Sequence, residues 1–453
     1  MEPTLRPQDI ADVLDRLTAA NQRVSAAYPG DRLDRQPVHT VYGGAQLFSA
    51  DVVKKLGATA ERLFRDYAPD PATFAAAIGL GGDPAFQRTV HERVATKLAR
   101  EPIEDFRIDF EDGYGHRLDH EEDGHATQCG EETARAMKDG TLPPWCGIRV
   151  KPLSEELRTR SLRTLDLYVT RLTQATGGRL PEHFVVTLPK ITSPEQVAAL
   201  AAALEWLEVR LRLAAGAIPI ELMIETPQSI FGADGRVTLP ELVRAGQGRV
   251  RGAHFGTYDY TASCNITAHY QQPQHPVCDF ARHVMQVSLA GTGVTLSDGA
   301  TTVLPVPPHR EAAGGAPLTA DQRSANRTTV HRAWKTHYHD VRSSLRHAYY
   351  QGWDLHPGQL ATRYAANYAF FLESRAEAGE RLKTFVAKSA QATLLGATFD
   401  DAATGQGLLN FFLRGLNCGA ITEQEARATG LSIEELRTRS FAKILEGHRK
   451  SGA

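Results

Sequence analysis

The sequence has no apolar run approaching the roughly 18 residues that a membrane span needs, so no membrane partner is expected. It has no excess of either charge: 51 Lys and Arg stand against 53 Asp and Glu, a formal net charge of -2 with a pI near 6.8. That balance gives no reason to expect nucleic acid or an anionic surface as partner. Cysteine is sparse. Cys129, Cys146, Cys264, Cys278 and Cys418 are an odd, scattered set with no C-x-x-C, which argues for reduced thiols and against a disulfide framework or a zinc site. A phosphate-binding glycine loop is also missing: Gly79-Leu-Gly-Gly82 has no Lys-Ser/Thr after it, and Gly291-Thr-Gly293 is short. The opening Met-Glu-Pro-Thr-Leu-Arg lacks the apolar core of a signal peptide. The expectation is a soluble, cytoplasmic protein.

What is present is a rhythm. Short apolar runs fall at 38–44, 106–113, 146–150, 184–188, 218–224, 250–255, 294–304 and 349–355. Helical patterns at 46–67, 84–100, 153–175, 194–213, 238–246, 275–289 and 322–347 separate most of them. Eight strands alternating with helices is the signature of a parallel α/β barrel, which takes roughly 250 residues. Before it, residues 7–27 carry Ile10, Val13, Leu14, Leu17 and Val24 at helical spacing. The polar stretch 114–145 reads as a loop over the rim leading into a short helix near 129–138. Residues 311–316 read as a flexible loop. From about 361 the strands cease, and two helical runs open on capping boxes, Thr422-x-x-Glu425 and Ser432-x-x-Glu435. The expected division is a helical lead-in (1–36), a barrel (37–360) and an all-helical C-terminal extension (361–453). Phe370, Phe371, Leu408, Leu409, Phe411 and Phe412 of the extension need burial, on their own barrel or on a neighbour's, and a homo-oligomer is expected.

In such a barrel the C-terminal strand ends carry the chemistry. Two successive runs end in carboxylates, Glu225 and Asp259. Such a pair repels unless one member takes a proton or a cation sits between them. A hard divalent cation fits, and so does a structural carboxylate bonded to loop N–H groups. Asp109-Phe-Glu-Asp-Gly113 sets Asp109, Glu111 and Asp112 at another strand end, as chemistry or as a solvated turn. Arg149 stands in an apolar strand and needs an anionic partner, either a carboxylate such as Glu111 or a bound substrate. Lys190 can form a Schiff base, pair with an anion or sit in solvent. Ser297-Asp298-Gly299 offers backbone donors or a supporting carboxylate. His39 and His356 flank the first and last runs and read as structural groups or as a general base. His331, His337, His339 and His347 read as solvated surface.

Six of these pieces, in order over about 250 residues, resemble the citrate lyase β-subunit / 2-oxo acid aldolase superfamily, relatives of malate synthase and the phosphoenolpyruvate–pyruvate barrels. Asp109-Phe-Glu-Asp is similar to the family's Asp-Leu-Glu-Asp, Gly147-Ile-Arg-Val to its Val-Arg-Val, and Leu188-Pro-Lys190 to its Pro-Lys. Ile224-Glu-Thr226 resembles its metal-binding Ile-Glu-Thr/Ser, Gly256-Thr-Tyr-Asp259 its Gly-x-x-Asp, and the His356-Pro-Gly-Gln359 segment its His-Pro-x-Gln. The 114–145 insertion, the lead-in, the segment after Asp259 and the tail depart from that pattern. The resemblance implies a (β/α)8 TIM barrel with a helical C-terminal extension. It implies Mg²⁺ or Mn²⁺ on Glu225 and Asp259, and a 2-oxo acid or coenzyme A thioester as substrate. Arg149 would hold a carboxylate or oxyanion, and Glu111 and Asp112 would orient Arg149 or a metal-bound water. Lys190, Gly256, Thr257, Ser297 and Asp298 would line the substrate. The implied reaction is carbon–carbon cleavage or condensation through an enolate, with His39, His356 or Asp354 as base. A phosphoryl-transfer enzyme or a non-catalytic barrel are the alternatives.

Overall fold

A computed structural model of the chain describes residues 4–30, 32, 34–311, 315–387, 393–395, 398–400, 402–438, 440, 443, 444, 446 and 447. The centre of the 311–316 segment, residues 312–314, lies outside the described residues. Eight parallel strands close into a barrel in chain order: β1 (His39–Gly44), β2 (Asp105–Asp109), β3 (Trp145–Arg149), β4 (Phe184–Leu188), β5 (Ile220–Ile224), β6 (Val250–Phe255), β7 (Thr295–Ala300) and β8 (Gln351–Asp354). Closure is seen at β1, which hydrogen-bonds to both β2 and β8. Helices alternate with the strands, so the fold is a (β/α)8 TIM barrel with further helices at the C-terminus. β4 and β6 coincide with the apolar runs of the sequence. β7 stops sooner, at Ala300, short of the end of the run at 304.

Side-chain alternation sorts each strand into two sets. Ile108, Ile148, Val186, Leu222 and Phe255 are buried against the helices. The other set faces the barrel axis and is polar. Arg107 of β2 reaches Glu221 of β5 at 2.7 Å, and Tyr42 of β1 lies against Met223 of β5, contacts that only the interior permits because those strands are not neighbours. The interior is therefore a stack of charged and aromatic layers rather than the usual branched aliphatic filling.

Three elements differ from the sequence reading. The stretch read as a rim loop is mostly one helix, Asp119–Asp139, 21 residues long. Its packed face is made of small residues, and a Cβ at Gly130 would meet the Tyr168 carbonyl at 2.8 Å, so close helix contact stands in for an apolar stripe. The extension is not all helical. After the helix Leu360–Ala387 comes an antiparallel pair, Thr393–Leu395 with Thr398–Asp400, too short to give a readable period. The helix Ala402–Asn417 then folds back, with Phe411 against Phe371 at 5.3 Å and Leu409 and Phe412 buried, and both capping boxes form downstream. An ion pair of Arg93 with Glu425 at 2.7 Å ties the extension to its own barrel. Finally, His337 is not on the surface. It is buried, with Nε2 2.9 Å from Asp354.

The lead-in helix Pro7–Ala27 forms as its spacing indicates, yet Val13, Leu14, Leu17 and Val24 are exposed. Among the described residues all five cysteines are free, and no helix is long and apolar enough to cross a membrane.

Candidate functional site at the C-terminal rim

β2 ends in Asp109, and this carboxylate organises one side of the rim. Its oxygens accept the Glu111 and Gly113 N–H groups at 2.9 and 2.7 Å, which fixes the turn after the strand. Gly113 is required there, since a Cβ would come within 2.6 Å of Asp109 Oδ2. The same carboxylate takes a two-pronged hydrogen bond from Arg149, Nε at 2.7 Å and Nη2 at 2.6 Å. A planar fork of this kind fixes the guanidinium in orientation as well as position. The rings of Tyr42 and Trp353 cover it, with centroids 4.9 and 5.2 Å from Cζ. Only Nη1 is left. It is buried, has no hydrogen-bond acceptor, and lies 3.2 Å from Glu111 Oε2.

Burial pushes Glu111 up to about 7 against the pull of Arg149 and Lys190, with Asp112 adding to the rise. Lys190 bridges the two sides of the rim. Its ammonium bonds Glu111 and lies 3.1 Å from Asp112 and 3.3 Å from Asp259. Its backbone takes a left-handed φ of 50°, which aims its N–H at Glu225 Oε1, 2.7 Å away. Burial works against the Lys190 charge, but Glu111, Glu225 and Asp259 outweigh it and raise its pKa. Lys190 is thus held as an ammonium, the form that cannot attack a carbonyl, and the Schiff-base role is not favoured.

Glu225, just beyond β5, is 1% exposed. Burial, then repulsion from Asp259, pushes it up to about 8. Gly256 makes room for it, since a Cβ there would meet Glu225 Oε2 at 2.3 Å. Thr257 Oγ1, which follows Gly256 in the chain, and Ser297 Oγ of β7 are buried without hydrogen-bond partners. The rim as a whole carries five carboxylates (Asp109, Glu111, Asp112, Glu225, Asp259) against two cations, Arg149 and Lys190. Among the described residues no three His, Cys, Asp or Glu side chains form a ready ligand set. A divalent ion here would rest on Glu225 and Asp259 and take its remaining ligands from substrate and water, the usual habit of Mg²⁺. The excess negative charge and the raised Glu225 fit such an ion.

The structure does not bring every candidate to this rim. His39, Asp298 and Asp354 lie one residue out of phase with the inward set and point into the helix layer. His39 Nε2 accepts the Glu104 N–H at 3.0 Å, and burial pushes its pKa down to about 4. Asp354 is bound by His337 and by Arg363 Nη2 at 2.8 Å; burial alone would raise it, but Arg363 and His337 hold it low. Asp298 accepts from Arg282 Nε at 2.8 Å and from Ser344. None of the three faces the rim: Asp298 and Asp354 have their partners in the helix layer, and His39 keeps one unbonded nitrogen, Nδ1, 3.4 Å from Asp354. His356 lies beyond β8, where Nδ1 accepts the Gly358 N–H at 3.0 Å and caps a short turn. Three residues that matter were not singled out for their roles: Asp109 as the holder of Arg149, and Tyr42 and Trp353 as its ring faces. The period-2 phase shared with Arg149 is the signal that finds them.

A family model described as a domain of unknown function (DUF6986) matches residues 17–444. No curated protein matches. Among solved structures, a citrate lyase from Burkholderia xenovorans LB400 is similar at TM-score 0.55 and 16% identity, over 87% of this chain and 96% of that one. A CitE protein from Mycobacterium tuberculosis, in complex with magnesium, acetoacetate and coenzyme A, gives 0.47 and 14% over 86% and 100%. The magnesium and glyoxylate complex of Haloferax volcanii malate synthase gives 0.44 and 15% over 92% and 98%. At such identities the likeness concerns the fold, and only the first is near enough to carry that argument.

Proposed function

Because the chain belongs to the DUF6986 family, whose function is unknown, its chemistry must be read from the rim, and we propose that it is a divalent-metal-dependent carbon–carbon lyase or condensing enzyme. Its substrate is a 2-oxo acid or an acyl thioester. One juxtaposition carries the reading: a buried guanidinium N–H with no acceptor, Arg149 Nη1, stands beside a carboxylate pair with excess negative charge, Glu225 and Asp259. A substrate that satisfies both must bring an anionic group and further oxygens able to share a cation. A 2-oxo acid does this with its carboxylate and adjacent carbonyl.

Mg²⁺ or Mn²⁺ on Glu225 and Asp259 would supply Lewis-acid stabilisation of the charge that develops on the substrate oxygen. The remaining work falls to side chains. Arg149, locked by Asp109 and two rings, presents Nη1 to the substrate carboxylate or the developing oxyanion without having to reorganise. Thr257 and Ser297 offer hydroxyls that are buried and unbonded. In cleavage, the hydroxyl of the departing fragment gives up its proton and becomes a carbonyl as the carbon–carbon bond breaks, the bonding pair remains on the α-carbon as an enolate, and a protonated acid must quench it. In condensation the same group removes that proton. Glu111, bonded to Lys190 and with a carboxyl that titrates near neutrality, is placed for this task. It replaces His39 and Asp354, which face the helix layer. The fold likeness to a citrate lyase supports the reading.

The test is isothermal titration of metal-stripped protein with Mg²⁺ and Mn²⁺, alone and with pyruvate, oxaloacetate or glyoxylate, beside a Glu225→Ala/Asp259→Ala variant. Metal binding that tightens with an oxo acid and vanishes in the variant is the expected result. Absence of metal binding under every condition would sink the proposal.

A further inference from the structure

At the mouth opposite the carboxylate rim, the N-terminal strand ends open into a cavity of about 520 Å³, the size of a site for a small organic ligand. Its floor is the interior layer of Asp105, Arg107, Glu221 and Gln351. Part of its wall comes from outside the barrel proper: the lead-in contributes Arg32 and Gln36, and the helix Ala402–Asn417 contributes Asn410 and Arg414. Arg414 donates to Gln36 at 3.0 Å and covers the Tyr350 ring at 5.1 Å, so the two added segments meet at this mouth.

We propose that this cavity is an effector site for a small organic anion, a carboxylate or a phosphate ester, whose charged group is taken up by Arg251. Three of the four carboxylates that line the cavity are already committed. Asp105 and Glu221 bind Arg107, Asp34 binds Arg32 at 2.6 Å, and Glu182 is exposed at the outer edge. Arg251 is the exception. It is half-buried and donates only to the main-chain carbonyls of Gly248 and Val250, at 2.6 and 3.1 Å, with no carboxylate partner among the described residues. Burial and then the like charge of Arg32 both disfavour its ionised form. An anion beside Arg251 supplies the charged acceptor that this side chain lacks and offsets the like charge of Arg32, whose own partner Asp34 is exposed. Deeper in, Arg107 Nε is buried without an acceptor. Asn410 adds an exposed amide at the edge, while the amides of Gln36 and Gln351 are already bonded to each other and to their neighbours.

This ligand would not reach the rim, because Tyr42, Met223 and His254 fill the barrel between the two mouths. It would nonetheless act on the same strand: Glu221 at the floor and Glu225 at the rim are four residues apart along one line of inward positions. A change of affinity that binding at one end produced at the other would be reciprocal.

The probes are citrate and AMP, one for each source of anionic charge, titrated calorimetrically into metal-free full-length protein at low salt. The variants are Arg251→Ala, Ala290→Trp (an exposed position at the cavity edge) and Arg149→Lys at the rim. At least one probe should bind the wild type and Arg149→Lys alike, and should bind Arg251→Ala and Ala290→Trp at least 10-fold more weakly. If Arg251→Ala does not fold, as judged by circular dichroism, Ala290→Trp decides alone. Failure of both probes to bind overturns the proposal, as does binding that survives Ala290→Trp or disappears with Arg149→Lys.

Discussion

Two arginines stand inside the barrel on adjacent strands, Arg107 near the floor and Arg149 near the rim, and the charge around them differs more than their own pairing. Each is buried and forked by an aspartate: Arg107 by Asp105 at 3.0 and 2.8 Å, Arg149 by Asp109 at 2.7 and 2.6 Å. Around Arg107 the charges close on themselves. Glu221 accepts from Arg107 and Thr187 and lies 3.1 Å from His254; burial would raise its pKa, but Arg107 and His254 outweigh that and hold it at about 2. Around Arg149 the carboxylates outnumber the cations and both Glu111 and Glu225 are pushed up, whereas around Arg107 only Asp105 is, by burial and by Glu221 against the pull of Arg107. A balanced buried network holds strands together. An unbalanced one marks where a cation and a substrate belong.

The largest expected effect tests that contrast directly. Asp109→Ala leaves Arg149 buried with no forked partner and should cost about 3–5 kcal/mol in urea unfolding. Asp105→Ala should cost clearly less, because Arg107 retains a 2.7 Å bond to Glu221, whereas Arg149 keeps Glu111 only at 3.2 Å and the turn after β2 loses the acceptor of two N–H groups. Equal losses would mean that the two networks are alike. Next comes Arg149→Lys, which keeps the charge and loses the fork. On whichever 2-oxo acid or acyl thioester the wild type turns over, kcat/KM should drop about 10²–10³-fold, the usual loss for a removed oxyanion donor. An unchanged rate would remove Arg149 from the chemistry.

The barrel was legible because its strands are short apolar runs at even spacing, and the apolar runs at 184–188 and 250–255 match β4 and β6 residue for residue. The rim cluster was legible through strand-end carboxylates and Arg149. What escaped was phase. His39 and Asp354 sit on the right strands, yet a one-residue offset turns them into the helix layer, and a sequence shows that offset only once strand limits are known. Likewise, the helix Asp119–Asp139 was hidden because it packs through Ala126, Gly130 and Ala136 rather than through large apolar side chains.

The rim and the floor should also differ in how they respond to pH. The folded pKa of Glu225, about 8, and of Glu111, about 7, lie above their ordinary value of 4.5. The folded state therefore binds more protons than the unfolded chain between these limits, and metal-free stability should fall as pH rises from about 5 to 8. Glu225→Gln should flatten this fall. Mg²⁺ should reverse the trend, since it favours the ionised carboxylates. Thermal melts at several pH values, with and without the ion, check both signs; a Glu225→Gln variant that still follows the wild-type slope would place the unbalanced charge elsewhere.

The smallest effect separates lying near the rim from belonging to it. His356 follows β8 and caps a turn through Nδ1 to the Gly358 N–H, a role that uses one ring nitrogen and no proton transfer. Its pKa is lowered, by burial first and then by Arg310, which keeps the ring neutral and suited to accepting that bond. His356→Asn retains a capping acceptor and should change stability by less than about 0.5 kcal/mol, whereas His356→Ala should cost about 1 kcal/mol. Neither should alter metal affinity in calorimetric titration. Turnover that falls 100-fold in both variants while their melting points stay near wild type would assign the proton to His356 and take it from Glu111, because a capping residue has no other route to the rate.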